Sequence, residues 1–356
     1  MKKYKIISKK NNIRDAIQCI EESSTRTVIV VGEKNFFYGL ITDGDIRKFL
    51  LSGGNLSENV EKIMNISPIY CRPDTNEESI IEILNRGNIQ AIPILSSSGN
   101  FIDIIDRSDF MNFSPSLLKV NNKDQFDMAV ILAGGEGQRL RPLTNKIPKP
   151  MISIDGIPVI EKTVRFLVES GIRDIKISIN YLGHIIRDYF QDGSKFGATI
   201  SYIEELDKLG TAGPLSLIKK TKKSKDILLI NGDVLTNFSV QSLYSFHQSS
   251  ESLITVAASI YHVNIPYGVI NLEDNKLKEI IEKPSYEYLC NAGIYALKSK
   301  VLDDMKEGIK IDMPEIIQKY KDVNTVSVFP IFEYWSDIGT FDELEKTKID
   351  IKNKKI

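Results

Sequence analysis

A short apolar run, Met128-Ala129-Val130-Ile131-Leu132, leads without a break into Ala133-Gly134-Gly135-Glu136-Gly137-Gln138-Arg139. Five apolar residues bounded by glycines read as a buried strand. The three glycines at its end let the backbone turn tightly and bring N–H groups close to phosphate oxygens. Further buried-strand candidates follow at Ile175 to Ile179 and Ile227 to Ile230, separated by helical stretches such as Ile160 to Glu169. Strands alternating with helices imply an α/β domain built on a mostly parallel sheet. Later runs, near Leu253 to Ile260 and Gly293 to Leu297, are expected to extend that sheet around a cleft.

The chain ahead of this domain repeats itself. A shift of 64 residues lays Thr27-Val28-Ile29-Val30-Val31 on Ala91-Ile92-Pro93-Ile94-Leu95, and Gly39 to Ile46 on Asp103 to Phe110. Helical spacing of apolar residues precedes each strand, at Ile13 to Glu21 and at Glu77 to Asn85. Each unit reads helix, strand, strand, helix. A unit that small cannot bury both of its faces alone, so the two are expected to pack together. Residues 1–113 therefore form a paired module, with units of about 1–56 and 57–113. Residues 114–127, polar and carrying Pro115, read as a linker, and 128–356 form the α/β domain.

Composition narrows the partners. Lys plus Arg is 46 against 47 for Asp plus Glu, so the basic excess that grips a nucleic acid backbone is missing. The three cysteines, Cys19, Cys71 and Cys290, are widely spaced and form no CxxC pair. A disulfide framework or zinc site is not expected, and a cytoplasmic setting is. The basic N-terminus is not followed by an apolar h-region, and no segment reaches the roughly 20 apolar residues of a membrane helix.

The loop from Gly134 to Arg139 lacks the GxGxxG spacing of a dinucleotide fingerprint, and no GK[ST] follows to make a Walker loop. Arg139 and Lys149 can supply positive charge for phosphates. The plainer alternative is a tight turn with surface cations. Asn231-Gly232-Asp233 follows a buried strand, and an aspartate at the carboxyl end of such a strand sits at the rim of an α/β cleft. His184, His247 and His262 do not cluster in sequence, and no nucleophile with a partner is visible.

Taken together, the segment Leu132 to Thr144, Pro148-Lys149-Pro150-Met151, Asn231-Gly232-Asp233, Glu282-Lys283-Pro284, Asn291-Ala292-Gly293 and Trp335-Ser336-Asp337-Ile338-Gly339 resemble, in order, the sugar-1-phosphate nucleotidylyltransferases. The resemblance runs from Met128 to near Asp350. It implies the nucleotide-diphospho-sugar transferase fold, a Rossmann-like, mixed, mostly parallel sheet. It also implies Mg²⁺ held by Asp233 and Asp337, and catalytic charges on Arg139, Lys149, Asp233 and Lys283. Nucleotide contacts would come from Leu132, Ala133, Gly134, Gly135 and Gly137, and sugar contacts from Gly268, Glu282 and Asn291. Leu209-Gly210-Thr211-Ala212-Gly213, preceded by Glu204 and Glu205, is similar to the mannose-1-phosphate guanylyltransferase variant. Glu204, Glu205, Gly210 and Thr211 would then meet the base, and a carboxylate accepting from guanine N1–H and N2–H₂ favours GTP. A uridylyl- or thymidylyltransferase, and an inactive sensor, are the rival readings.

The repeat resembles a CBS pair, an α+β module. Its first unit carries the T-x-x-D string as Thr42 and Asp45, which implies an adenine nucleotide ligand. The second unit has Asp106 where Thr42 falls, and a carboxylate there repels phosphate. CBS pairs commonly dimerise, so a homo-oligomer is expected. CBS pairs fused to this transferase resemble the glucosamine-1-phosphate guanylyltransferases of legionaminic acid synthesis, which implies glucosamine 1-phosphate as the sugar, with mannose and heptose 1-phosphates also open.

Overall fold

The computed structural model describes residues 3–85, 89, 91–106, 109, 125–218, 225–321 and 325–353. The chain divides into two compact units, Met1–Asn122 and Lys123–Ile356.

In the first unit, β1 (Lys5–Ser8), β2 (Thr27–Val31) and β3 (Phe37–Thr42) form one sheet, β1 parallel and β3 antiparallel to β2. Helix α1 (Ile13–Glu21) buries Ile13, Ala16, Ile17 and Ile20, the i, i+3, i+4, i+7 face. Asn12 caps it, and Asp15 completes the capping box. Helix α2 (Asp43–Leu51) follows β3 directly. The second repeat supplies α3 (Glu77–Asn85) and the antiparallel pair β4 (Ala91–Leu95) and β5 (Phe101–Asp106). The 64-residue offset carries α1 onto α3, β2 onto β4 and β3 onto β5, end for end. Ile29, Val31 and Leu40 share one core with Leu95, Phe101 and Ile104, so the repeats complete each other's burial. The closing helix expected in the second repeat lies outside the described residues except for Asp109.

Residues 114–124 of the expected linker lie outside the described residues as well. Its last residues belong to the second unit. Phe126 is buried among Ile160, Val164 and Tyr244, and the Asp127 N–H donates to the Asp226 carbonyl at 2.9 Å. The polar neighbours of Phe126 hid a core residue.

The second unit is built on a seven-stranded sheet ordered β10-β9-β6-β11-β16-β13-β17. Its strands are β6 (Met128–Leu132), β9 (Asp174–Ile179), β10 (Thr199–Glu204), β11 (Asp226–Asn231), β13 (Ile254–Asn264), β16 (Ser285–Lys298) and β17 (Val326–Ile331). Pairings β10/β9, β9/β6, β6/β11 and β13/β17 are parallel, while β16 runs antiparallel to both neighbours. The expected mostly parallel α/β sheet is the one observed. Two short pairs lie outside it, β7 (Ser153–Ile154) with β8 (Ile157–Pro158), and β12 (Val234–Thr236) with β18 (Trp335–Asp337). A hairpin of β14 (Val269–Glu273) and β15 (Lys276–Ile281) projects before β16.

Helices α4 (Val159–Glu169), α5 (Gly183–Phe190), α6 (Val240–Ser249), α7 (Lys300–Asp303), α8 (Met313–Lys321) and α9 (Phe341–Lys352) complete the unit. Ile160, Val164 and Leu167 of α4 pack against Ala129 and Ile131 on one face of the sheet. Met313, Ile316 and Tyr320 of α8 pack with Met128 and Val130 in a second core. Alternate residues of β6 thus feed two cores, which is why the strand reads as continuously apolar. The chain winds from β6 to β9 and β10 on one side, then returns to place β11 on the other. The carboxyl end of β6 is the point where the winding reverses, the usual place for a ligand crevice in such sheets.

Candidate active site

Everything at this crevice hangs from the ends of β6 and β11. The Gly232 N–H donates to the Leu132 carbonyl at 2.9 Å, and the Ala133 N–H to the Ser178 carbonyl at 2.9 Å. These bonds tie the start of the glycine loop to Asn231-Gly232-Asp233. Among the described residues, the N–H groups of Gly134, Gly135, Glu136 and Gly137 have no acceptor. A run of unspent N–H donors is what binds an anion. Gly137 must be glycine on two counts. Its φ is +62°, and a Cβ there would come within 2.8 Å of Lys149 Cβ and 2.9 Å of Thr144 Cγ2. The loop therefore lies directly on the stem of Lys149.

Lys149 opens a short turn, Lys149–Met151, with a proline on either side of it. Its ammonium pairs with Asp233 Oδ2 and stands 3.6 Å from Asp337 Oδ1. The two aspartates meet through the β12/β18 pair. Val234 lies opposite Asp337, and the Ile338 N–H donates to the Asp233 carbonyl at 3.1 Å. Trp335 Nε1–H, donating to the Ala292 carbonyl at 2.9 Å, pins β18 against β16. Thus two aspartates about a hundred positions apart in the sequence converge on one lysine. Burial, with the neighbouring Asp233 adding to it, pushes the Asp337 carboxyl above its ordinary range, while Lys149 and Arg139 oppose the rise. Asp233 Oδ1 and Asp337 Oδ1 are buried and have no hydrogen-bond partner among the described residues. Orphaned oxygens on two neighbouring carboxylates suit a hard divalent cation that takes one or two carboxylates and fills its shell from substrate and water. The described residues hold no cluster of three or more metal-ligating side chains.

Arg139 is exposed and makes no ion pair among the described residues; its guanidinium lies against Gly339, where a Cβ would meet Nη2 at 3.4 Å. Arg139 and the Asp337 strand therefore border the same space. Lys283 and Glu282 stand on the β15–β16 connection, exposed, with Glu282 beside Gly268. The structure shows no bond from Lys283 to the Lys149–Asp233–Asp337 group. Asn291 is committed to the bend of β16: Oδ1 accepts from the Gly293 N–H at 3.0 Å, and Nδ2 donates to the Tyr295 hydroxyl at 2.9 Å.

The two carboxylates expected to meet a base each have protein partners in this structure. Glu204 is exposed and pairs with Arg187 of α5. Glu205 accepts from Ser178 Oγ–H at 2.5 Å and from the Leu209 N–H at 3.1 Å, lying close against Gly134. It joins the glycine loop to the loop that follows β10. Alternation along β10 turns the adjacent glutamates to different surroundings.

Sequence reasoning gave no role to Asp312, Glu136 or Lys208. Asp312 Oδ1 accepts from Thr211 N–H at 2.8 Å and Oγ1–H at 3.1 Å, and Thr211 Oγ1 accepts from the Met313 N–H at 2.8 Å. Gly210, with φ +78°, leaves this contact its space, since a Cβ would stand 2.7 Å from Asp312 Oδ1. Asp312 and Glu315 form a D-x-x-E start signal for α8, which was readable, but the reach to Thr211 was not. Glu136 accepts from Lys208 and, at 2.9 Å, from Gln138 Nε2–H, joining the glycine loop to the loop that follows β10.

In the first unit, Thr42 and Asp45 form the capping box of α2. Asp45 Oδ2 accepts from the Thr42 N–H at 2.8 Å and Oγ1–H at 2.7 Å. Asp106 and Asp109 repeat the arrangement, the Asp106 N–H donating to Asp109 Oδ2 at 2.9 Å. Lys3 Nζ pairs with Asp109 and lies 3.7 Å from Asp106 Oδ2, offsetting the second carboxylate.

Both units resemble known protein families. The nucleotidyl transferase family model matches residues 128–354, and the CBS domain model matches 1–52 and 60–116. Mannose-1-phosphate guanyltransferase of Debaryomyces hansenii is 33% identical over 222 residues, 59% of this chain and 60% of that protein. Mannose-1-phosphate guanyltransferase 2 of Candida glabrata is 32% identical over 219 residues, again 59% and 60%. The chain thus spans about 60% of the length of these relatives. A solved structure described as a glucose-1-phosphate thymidylyltransferase from Bacillus anthracis, in complex with sucrose, superposes with a TM-score of 0.51 at 25% identity, covering 62% of this chain and 94% of that one. The legionaminic acid resemblance finds no support among these relatives. The chain belongs to the nucleotidyl transferase family and carries a CBS domain pair ahead of its transferase unit.

Proposed function

We propose that the protein is a sugar-1-phosphate guanylyltransferase, which joins GTP to a hexose 1-phosphate and releases pyrophosphate. The observation that carries this reading is the convergence of Lys149, Asp233, Asp337 and the unspent N–H donors of Gly134 to Gly137 at the winding reversal of the sheet. The similarity to mannose-1-phosphate guanyltransferases favours GTP over other nucleotides.

The reaction is an in-line displacement. An oxygen of the sugar phosphate attacks the α-phosphorus, and the bond to pyrophosphate breaks. The protein forms no covalent bond; it positions the reactants and spreads charge. The loop N–H groups would cradle the triphosphate. Arg139 would meet charge developing on the α-phosphate and the leaving group, and Lys149 and Lys283 would hold the attacking phosphate. A magnesium ion, when bound by Asp233 and Asp337, would neutralise phosphate charge as a Lewis acid. Asp312, Thr211 and Gly210 would set the shape of the base pocket, with Glu205 fixing its distance from the phosphate loop. Gly268, Glu282 and Asn291 would line the sugar side. Adenine nucleotide binding at Thr42 and Asp45, and self-association of the CBS pair, belong to the same proposal.

The test is pyrophosphate release with GTP, UTP, CTP, dTTP and ATP, each against mannose, glucosamine, glucose and heptose 1-phosphates. Turnover with GTP and one hexose 1-phosphate supports the reading and names the sugar. Preference for dTTP or UTP replaces the base assignment, and no turnover with any pair makes the protein a sensor.

A further inference from the structure

We infer that Lys149 is the resident cation of the Asp233–Asp337 pair in the ligand-free protein, and that a divalent ion binds this pair only by displacing it. The inference rests on the reading of those aspartates as metal ligands. Two carboxylates brought side by side in a half-buried place require a compensating charge. Among the described residues Lys149 supplies it, pairing with Asp233 Oδ2 and standing 3.6 Å from Asp337 Oδ1, its side chain only 12% exposed. Arg139, the other cation bordering the space, has no ion pair there.

An ammonium held at Asp233 Oδ2 and 3.6 Å from Asp337 Oδ1 stands at contact distance from any divalent ion on the two Oδ1 atoms, and the repulsion between the two cations there is large. Lys149 also has somewhere to go. Its backbone is fixed by the turn between Pro148 and Pro150, while its stem runs along Gly137 beside the unspent N–H donors. A flexible four-carbon side chain lets the ammonium leave the aspartates without moving that turn. A phosphate on the loop offers it an equivalent anionic partner. The arrival of the substrate phosphates would therefore free the aspartates for the metal, and metal affinity and phosphate affinity are coupled, each raising the other. The free protein, with its own cation in place, would bind the metal weakly.

The experiment is a Mn²⁺ titration of the full chain followed by electron paramagnetic resonance of free Mn²⁺, without nucleotide. It compares wild type, Lys149→Met and Lys149→Met/Asp233→Asn, each checked for folding by the emission of Trp335. Lys149→Gln replaces the Met variant should that one unfold. The expected result is one Mn²⁺ site at least tenfold tighter in Lys149→Met than in wild type, lost in the double variant. Equal or weaker binding in Lys149→Met, at a site that Asp233→Asn removes, overturns the inference and leaves the metal ligands standing. A tight site that survives Asp233→Asn overturns the ligand assignment and the inference with it.

Discussion

His247 makes the transferase unit sensitive to acid. It lies on α6, completely buried, with Nδ1 2.7 Å from Thr255 Oγ1 on β13 and Nε2 without a hydrogen-bond partner among the described residues. Burial lowers the imidazole from 6.5 to about 4; Lys298 adds to the depression and Asp226 opposes it. The folded protein thus holds His247 neutral at pH values where the unfolded chain protonates it. Stability from this group is complete above pH 6.5 and is lost as pH falls toward 4. At about 1.4 kcal/mol per pKa unit, the loss is about 2 kcal/mol by pH 5 and about 3 kcal/mol by pH 4. Trp335, the sole tryptophan, lies in the same unit and reports its unfolding. Urea midpoints followed by its fluorescence at pH 8 and pH 5 should fall steeply in wild type. In His247→Gln, which keeps a polar partner for Thr255 and cannot titrate, the fall should be about 2 kcal/mol smaller. Parallel pH dependences in the two proteins would refute the assignment, because the carboxylates that titrate in this range are common to both.

The remaining predictions concern turnover and regulation. Asp233→Asn and Asp337→Asn should each abolish pyrophosphate release with the fluorescence of Trp335 unchanged, and EDTA should silence wild type until Mg²⁺ is restored; full activity in EDTA removes the metal from the mechanism. Arg139→Ala should lower kcat by a factor on the order of 10², about 3 kcal/mol, with little change in KM for GTP; a change confined to KM means that Arg139 binds only the ground state. Asp45→Ala should abolish calorimetric binding of AMP, ADP or ATP to the CBS pair and cost about 1 kcal/mol through the lost bonds from Thr42 in the α2 capping box. Absence of purine nucleotide binding in wild type would make the pair an assembly device.

What was legible in the sequence was what short-range pattern controls. The ends of α1, α3, β2, β4 and β6 follow from apolar spacing and turn residues, and the offset of the repeat foretold the shared core of Ile29 and Ile104. The order of motifs gave the neighbourhood of Lys149, Asp233 and Asp337. Their mutual arrangement was not legible, because it depends on β12 pairing with β18 across a hundred residues. The same is true of Asp312 reaching Thr211. Glu205 reads as a base reader from its chemistry alone, and its bonds with Ser178 and Leu209 were not legible because they depend on how β9 and the loop after β10 meet. Phe126 was hidden by its polar surroundings.

Strands β13 and β16 each have two lives. Ile254 to Ser259 and Ala292 to Leu297 are the buried halves, inside the sheet; Tyr261 to Asn264 and Ser285 to Leu289 are the outer halves, largely open to water. The residues read as facing the sugar sit on or beside the outer halves. Substitutions there leave the core unchanged, and exposed positions away from caps and special backbone typically shift stability by less than about half a kcal/mol. If the proposed reading holds, selection can explore new sugars in the outer halves nearly free of a folding penalty, while the buried halves are kept constant by the same packing that keeps the chain folded.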